Sequence, residues 1–309
     1  MCMHALTAPW YASLSIDASA PRPPSWNYSG ADHHWLIAQQ PPLSEAEARR
    51  FDLHYAARWR CLRATDDLLF ALEQQLTALD LWNNTFVFIT SDHGYHFGEL
   101  RLGGGKWNVY DTDIRVPMRV IGPGITPGST LGMVGSHVDL APTFLALAGL
   151  ETPADMDGRS LAHALISNNS GLLTGHVRRD ANDQDHVQLD DVGALPRGGA
   201  YIEYHGLGPV GAPNRRQDAW NNTYRALRVI DRRPHGLGNV LYAEFGDFLF
   251  ENIFFREFYE MDTDPWQLHN RFSALTAEEQ AQWATRVHNL FRCKGSECRM
   301  ATADIRIDD

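Results

Sequence analysis

No apolar run in this chain approaches the roughly 18 residues that a membrane-spanning helix needs. Positive charge is also short, since 27 Lys and Arg against 38 Asp and Glu leave a formal net charge of −11. That balance argues against nucleic acid as a partner. It repels any polyanionic ligand as well, so one would need a local basic patch, which Arg101, Lys106, Arg115 and Arg119 could supply. Met1 to Pro9 lacks a basic start followed by a long apolar core, so no signal peptide is visible. Cysteine is limited to four residues. Of these, Cys293 and Cys298 are close enough either to close a small loop or to stay as free thiols. No internal repeat is present. What remains is 309 residues of 44% hydrophobic composition, enough to bury a sizeable core as one large domain or one and a half.

The most informative stretch begins at Phe86. Phe86, Val87, Phe88 and Ile89 form a short run that suits a buried strand. The run ends in Ser91-Asp92-His93-Gly94-Tyr95-His96, a polar cluster with one carboxylate and two imidazoles. Asp92 and His93 therefore fall at the carboxyl end of a strand, where open α/β sheets bind ligands. A carboxylate beside an imidazole can hold a divalent cation. Gly103-Gly104-Gly105 makes the backbone permissive before Lys106, whose ammonium can hold an anion. A cation plus an anion clamp is the equipment for hydrolysing a sulfate or phosphate ester. The plainer readings are an Asp that caps a turn and a lysine that is solvated. Tyr95 and His96 flank the loop and read as shape-giving, with His96 also a candidate substrate contact. Glu99, Arg101 and Asp111 read as an ion-pair network in the same loop.

Pro21, Pro23, Pro24, Pro41 and Pro42 keep residues 1–43 irregular. Ser44-x-x-Glu47 is a capping box that opens a helix running toward Leu81, whose Leu68, Leu69, Ala71 and Leu72 would pack on a sheet. Arg115 to Ile121 reads as a second core strand, and His137 to Leu150 as a helix capped by Ser136. From about residue 166 the composition turns to Asn, Ser, Gly and Asp, a loop-rich boundary through 198. Tyr201–His205, Tyr224–Ile230, Asn239–Phe245 and Ile253–Met261 are then strand-like runs, and Thr276-x-x-Glu279 caps a last helix ending near Cys293. The expected organisation is a first domain over 1–165, a boundary over 166–198, and a small antiparallel subdomain over 199–309. His205 stands at the end of one strand, as a pocket-mouth contact or with no role. Asn27, Asn83, Asn168 and Asn221 each begin an acceptor sequon.

Ser91-Asp92-His93-Gly94-Tyr95-His96-x-Gly98-Glu99, Gly105-Lys106 and Asp113-Ile-Arg-Val-Pro-Met118 together resemble the second half of a sulfatase. His137-Val-Asp-Leu-Ala-Pro-Thr143, Ala148-Gly149 and Met156-Asp-Gly-Arg-Ser-Leu161 continue the pattern in order. His34-Trp-Leu-Ile37, Arg58-Trp-Arg60 with Asp66-Asp-Leu68, and Cys293-Lys-Gly-Ser-Glu-Cys298 narrow the resemblance to the N-acetylglucosamine-6-sulfatase branch. The implied fold is α/β of the alkaline-phosphatase-like kind, a mixed sheet sandwiched by helices plus a small C-terminal antiparallel α+β subdomain. The N-terminal part of that fold is missing. The resemblance also implies metal ligation by Asp92 and His93, sulfate contact by Lys106, and a Cys293–Cys298 bridge. Calcium is the metal implied, while the His93 imidazole keeps manganese and zinc open.

Sulfatases carry a Cys-or-Ser-x-Pro-x-Arg motif whose first residue becomes the formylglycine nucleophile. None of Cys2, Cys61, Cys293 or Cys298 begins such a motif. Asp66-Asp67 imitates the family's acidic pair but sits inside a helical pattern, which makes it a solvated helix face. Thr7-Ala8-Pro9-Trp10 resembles a family segment that supplies a histidine, and here that histidine is not in place, since His4 does not fit its spacing. The chain thus reads as the later part of a sulfatase, truncated or partial. The expected activity is sulfuric ester hydrolysis on 6-sulfated N-acetylglucosamine in glycosaminoglycans, with these residues inactive by themselves. The rivals are a phosphate or phosphonate ester hydrolase of the same superfamily and a non-catalytic, sulfatase-like glycan-binding protein. The sequons and paired cysteines point to a lysosomal or secreted route.

Overall fold

Ser44 opens the longest element of the fold. Its side chain accepts the Glu47 amide at 3.3 Å while the Glu47 carboxylate accepts the Ser44 amide at 2.9 Å. These reciprocal bonds satisfy helix-start donors and launch a 34-residue helix. The computed structural model describes residues 7–166, 198–208, 218–231 and 236–303. In chain order the first elements are α1 (Trp35–Ala38), α2 (Glu45–Ala78), β1 (Val87–Thr90), β2 (His96–Phe97), β3 (Gly104–Gly105), α3 (Asp111–Ile114) and β4 (Met118–Ile121). There follow α4 (Leu140–Leu147), α5 (Ala162–Ile166), β5 (Gly199–Tyr204), β6 (Tyr224–Asp231), β7 (Gly238–Gly246), β8 (Ile253–Glu260), α6 (Ala277–Arg292) and α7 (Ser296–Ala303). The fold is α/β, and its sheets are antiparallel among the described residues.

The chain divides into two compact units: Met1–Pro123 with Leu207–Ala219, and Gly124–Gly206 with Trp220–Asp309. Residues 124–166 therefore group with the later strands rather than with the first domain expected from sequence. The expected boundary at 166–198 lies almost wholly outside the described residues.

In the first unit, β1 and β4 pair with Val87 opposite Ile121 and Thr90 opposite Met118. β4 begins later than the expected 115, because Pro117 has no amide to donate to a ladder. The core is small: Ala20, Phe51 and Phe97, with Leu43, Tyr55 and Tyr95 packed against them. It sits under the first turns of α2, where Phe51 and Ala56 are the buried residues of the helix. The expectation that Leu68, Leu69, Ala71 and Leu72 pack on a sheet fails. Leu68 is 67% and Leu72 41% exposed, as is Phe70 at 64%. Periodicity gave the helix correctly, but among the described residues no sheet covers the apolar side chains of its second half. Asp66 and Asp67 lie on that exposed half, in reach of Arg63 and the Tyr11 hydroxyl.

In the second unit, β5 to β8 form a four-stranded meander in sequence order. α6, capped by a Thr276–Glu279 box, lays Trp283, Val287 and Leu290 on Leu227, Val229, Val240, Tyr242 and Phe258. Each large side chain so buried contributes about 1.5–3 kcal/mol. At one end of this face the buried Glu244 carboxylate accepts from Arg225 at 2.7 Å, Arg256 at 3.2 Å and the Tyr242 hydroxyl at 2.7 Å. Burial and the neighbouring Glu244 push the Tyr242 hydroxyl far above its ordinary range. Beyond α6, Cys293 and Cys298 form a disulfide. The loop it closes is pinned to an earlier segment, with Gly295 N donating to Asp157 at 2.6 Å and Arg299 donating to the Met156 carbonyl.

Candidate active site

β1 delivers its last residue, Thr90, directly to Ser91-Asp92-His93. Ser91 Oγ donates to the His93 carbonyl at 2.8 Å, and the His93 amide donates to Asp92 Oδ1 at 3.0 Å, which closes a tight turn. The Asp92 side chain is 76% exposed and that of His93 25%. His93 Nδ1 lies 2.6 Å from the Gly94 carbonyl. A carbonyl only accepts, so Nδ1 donates this bond and Nε2 is the nitrogen turned toward Asp92. That Nε2 is buried, makes no hydrogen bond, and stands 3.2 Å from Asp92 Oδ2. An imidazole nitrogen and a carboxylate oxygen at this distance can share a cation, a proton or a metal ion. The outer nitrogen held by a carbonyl and the inner one left open is the usual setting of a metal-binding histidine. The pair suits a divalent ion but supplies only two donors. Among the described residues no group of three or more His, Cys, Asp or Glu side chains could hold a metal.

Lys106 follows β3, whose Gly105 pairs with His96 of β2. Partial desolvation pushes the Asp92 carboxyl up, but His93, its amide and the Lys106 ammonium outweigh this and hold it below the usual carboxylate range. The lysine is thus near enough to be felt at the metal loop. It is one of two lysines in the chain, the other being Lys294, in a protein that otherwise takes its cations from arginine.

His96 is fully buried, so the substrate contact considered for it is not available in this structure. Its Nδ1 donates instead to Asp113 Oδ1 at 2.7 Å. Asp113 is itself buried, and its other oxygen accepts the Asn108 amide at 2.9 Å. Gly94 N donates to the Asp113 carbonyl at 2.7 Å and Tyr95 N to the Thr112 carbonyl at 2.8 Å. This approach is so close that a Cβ on Gly94 would lie 1.9 Å from the Thr112 oxygen, which only glycine avoids. The sequence reading quoted Asp113 only as the start of a resemblance segment, because its partners lie up to 19 residues away and no local pattern announces them.

Beneath the loop, α2 presents His54, Tyr55 and Arg58. The Arg58 guanidinium sits 4.4 Å over the Tyr95 ring, and Tyr95 packs 4.8 Å from Phe97. Burial raises the Tyr95 hydroxyl above its ordinary range against the pull of Arg58 and Arg50. Glu99 turns inward to accept the Phe97 amide at 2.6 Å, Arg101 donates to the Asn27 carbonyl, and Asp111 faces Arg115 at 3.9 Å. His205 belongs to the second unit, 2.7 Å from Glu203 and with its ring 4.3 Å from that of Phe248. Of the sequons, Asn83 is exposed, while Asn27 is half-buried and its Oδ1 accepts the Leu43 amide. Asn221 is half-buried beside a buried Thr223, and Asn168 lies outside the described residues.

Residues 18–150 match the model of the sulfatase family. N-acetylglucosamine-6-sulfatase of Bos taurus is 32% identical over 310 residues, covering 94% of this chain and 50% of that protein. The chain therefore spans about half the length of the curated relatives it matches. One solved structure, in complex with its substrate D-glucosamine-2-N,6-O-disulfate, gives a TM-score of 0.59 at 22% identity, over 86% of this chain and 45% of that one. A phosphonate monoester hydrolase from Silicibacter pomeroyi gives 0.55 at 19% identity, over 96% and 52%. At such identities the structural likeness speaks to the fold alone. The family match over residues 18–150, with a mammalian relative aligned along nearly the whole sequence, carries the conclusion: this chain contains a sulfatase-family region and is similar to sulfatases along nearly its full length.

Proposed function

We propose that these residues carry the metal-and-anion side of a sulfuric ester hydrolase site. Asp92 and His93 would hold a divalent cation, and Lys106 would hold the ester's oxygens. The observation that carries this reading is the buried His93 Nε2, which makes no hydrogen bond and faces Asp92 Oδ2 at 3.2 Å, with the Lys106 charge close enough to help lower the Asp92 carboxyl. When bound, the cation would supply positive charge to the sulfate oxygens. Lys106 would offset negative charge as it grows on the ester. Calcium is the proposed metal, with manganese or zinc as the alternatives that an imidazole ligand admits. The proposed substrate is 6-sulfated N-acetylglucosamine in sulfated glycans, supported by the relative named N-acetylglucosamine-6-sulfatase and by the neighbour bound to a sulfated glucosamine. A lysosomal or secreted setting is supported by the Cys293–Cys298 disulfide and the exposed Asn83 sequon.

No Cys-or-Ser-x-Pro-x-Arg motif occurs in these 309 residues. We propose accordingly that they release no sulfate by themselves and bind metal weakly, at about high micromolar to millimolar concentration. Calorimetry with calcium and with inorganic sulfate tests this, using Asp92→Asn and Lys106→Ala as controls. Weak binding that each control reduces supports the reading. Tight stoichiometric calcium binding, or turnover of 6-sulfated N-acetylglucosamine that Lys106→Ala abolishes, overturns it, since either needs groups this reading does not contain. The His93 imidazole supports a second reading, a phosphate or phosphonate ester hydrolase. Inhibition constants for paired aryl sulfate and aryl phosphonate ligands would separate the two.

A further inference from the structure

The Asp92–His93 pair precedes β2 and Lys106 follows β3, so both flank the same end of the β2–β3 pair, and a single residue ties the two sides together. We infer that Asp113 is the positioning residue of the proposed site, fixing Lys106 against the Asp92–His93 loop. The inference rests on the functional reading of Lys106 given above. Asp113 spends every polar group it has on this task. Its carbonyl accepts Gly94 N, one residue past His93, at 2.7 Å. Its Oδ1 accepts His96 Nδ1 at 2.7 Å and the Thr112 hydroxyl at 3.2 Å. Its Oδ2 accepts the amide of Asn108, two residues past Lys106, at 2.9 Å. Its own amide donates to the Tyr110 carbonyl at 2.8 Å. His96 in turn faces Gly105, the residue before Lys106, across the β2–β3 pair.

Lys106 is therefore bracketed. The ladder holds the residue before it, the carboxylate holds the residue two after it, and the same Asp113 holds the metal loop. The chain resists this placement, because Trp107 has φ +96°, a region costly for a bulky side chain. An anchor just beyond a strained residue is what keeps it there. Asp113 is 5% exposed and touches no solvent-facing ligand position, so it acts through Lys106 and not on the ester. Charge-assisted bonds between buried groups are strong enough for this, at about twice a neutral hydrogen bond each.

The test uses the whole 309-residue chain, with calcium present and inorganic sulfate as probe. Sulfate affinity and thermal unfolding are measured for the unaltered chain, Lys106→Ala, Asp113→Asn and the double variant. Each single change should weaken sulfate binding about five- to tenfold, and the double variant should fall within about twofold of Lys106→Ala. Such non-additivity is expected only if Asp113 works through Lys106. His96→Asn, whose amide can donate where Nδ1 does, should keep near-native affinity, and His96→Ala should not. If Asp113→Asn lowers the melting temperature yet leaves sulfate affinity alone, or if the two losses multiply, Asp113 merely holds the core and the inference fails. Should Asp113→Asn not fold, the His96 pair decides, and equal affinity in its two variants overturns the proposal. If Lys106→Ala leaves sulfate binding unchanged, or the unaltered chain binds none, the functional reading itself falls and this inference falls with it.

Discussion

β6 and β7 of the second unit are buried on both faces nearly along their length, whereas β1 and β4 of the first have no fully buried residue. The two regions are held by different means. In the second, apolar side chains meet across a helix–sheet layer, and the buried Glu244 carboxylate is shielded in an ion pair with Arg225. In the first, β1 and β4 are only partly covered. The Asp92–His93 loop is placed by backbone hydrogen bonds, one carboxylate and a glycine contact, beside apolar residues such as Leu102 and Val109 that are buried further along the loop. Apolar packing is non-directional and tolerant of small shifts, whereas hydrogen bonds fix position. The proposed site, which would set Lys106 against Asp92 and His93, is better served by the second means.

The contrast can be broken most easily at Glu244. Glu244→Ala leaves the Arg225 guanidinium buried without its carboxylate, and the loss should be about 3–5 kcal/mol. Chemical denaturation would measure it; a loss under about 1 kcal/mol would mean that water reaches the pair and that the layer is looser than described. Removing the small disulfide loop with Cys298→Ser should cost less, about 2 kcal/mol, read as a lower denaturation midpoint in oxidising buffer and no difference under reductant.

The pairs Ser44–Glu47 and Thr276–Glu279, and the four strand-like runs after residue 200, were legible in the sequence because their signals are local. A capping box spans four residues, and a strand between Gly and Asp breaks about eight. The position of Asp92 and His93 just past a strand was legible for the same reason, as a polar cluster that ends an apolar run. Asp113 was not, since its role lies in partners at 94, 96 and 108 that only the fold assembles. Nor was the bareness of α2, because apolar spacing predicts a helix face but says nothing about what covers it. The substrate contact considered for His96 failed on burial, which a loop sequence does not encode.

Two smaller effects sharpen the comparison. Leu68→Ser or Phe70→Ser on the exposed half of α2 should change unfolding free energy by no more than about 0.5 kcal/mol, yet reduce concentration-dependent self-association, since an apolar stripe of this kind is adhesive. Analytical ultracentrifugation of the two variants beside the unaltered chain decides it, and unchanged association would clear α2. The smallest effect concerns pH. Thr276 hydrogen bonds hold the Glu279 carboxyl below its ordinary range. Its capping contribution is therefore complete above the usual glutamate range and is lost as pH falls through the lowered folded value. Glu279→Gln, which resembles the protonated acid, should flatten that part of the acid limb by lowering stability slightly at neutral pH while leaving the acid end nearly unchanged.

Gly94 has one more consequence, and it concerns time. Its amide and that of Tyr95 donate to carbonyls some eighteen residues further along, with no room for a side chain between. Neither bond can open by a local fluctuation of the loop alone. Both amides should exchange with deuterated water at the slow rate of the 92–113 segment as a whole, while the neighbouring amide of Asp92 exchanges quickly. A stretch that looks like an exposed turn would then carry the clock of a buried strand.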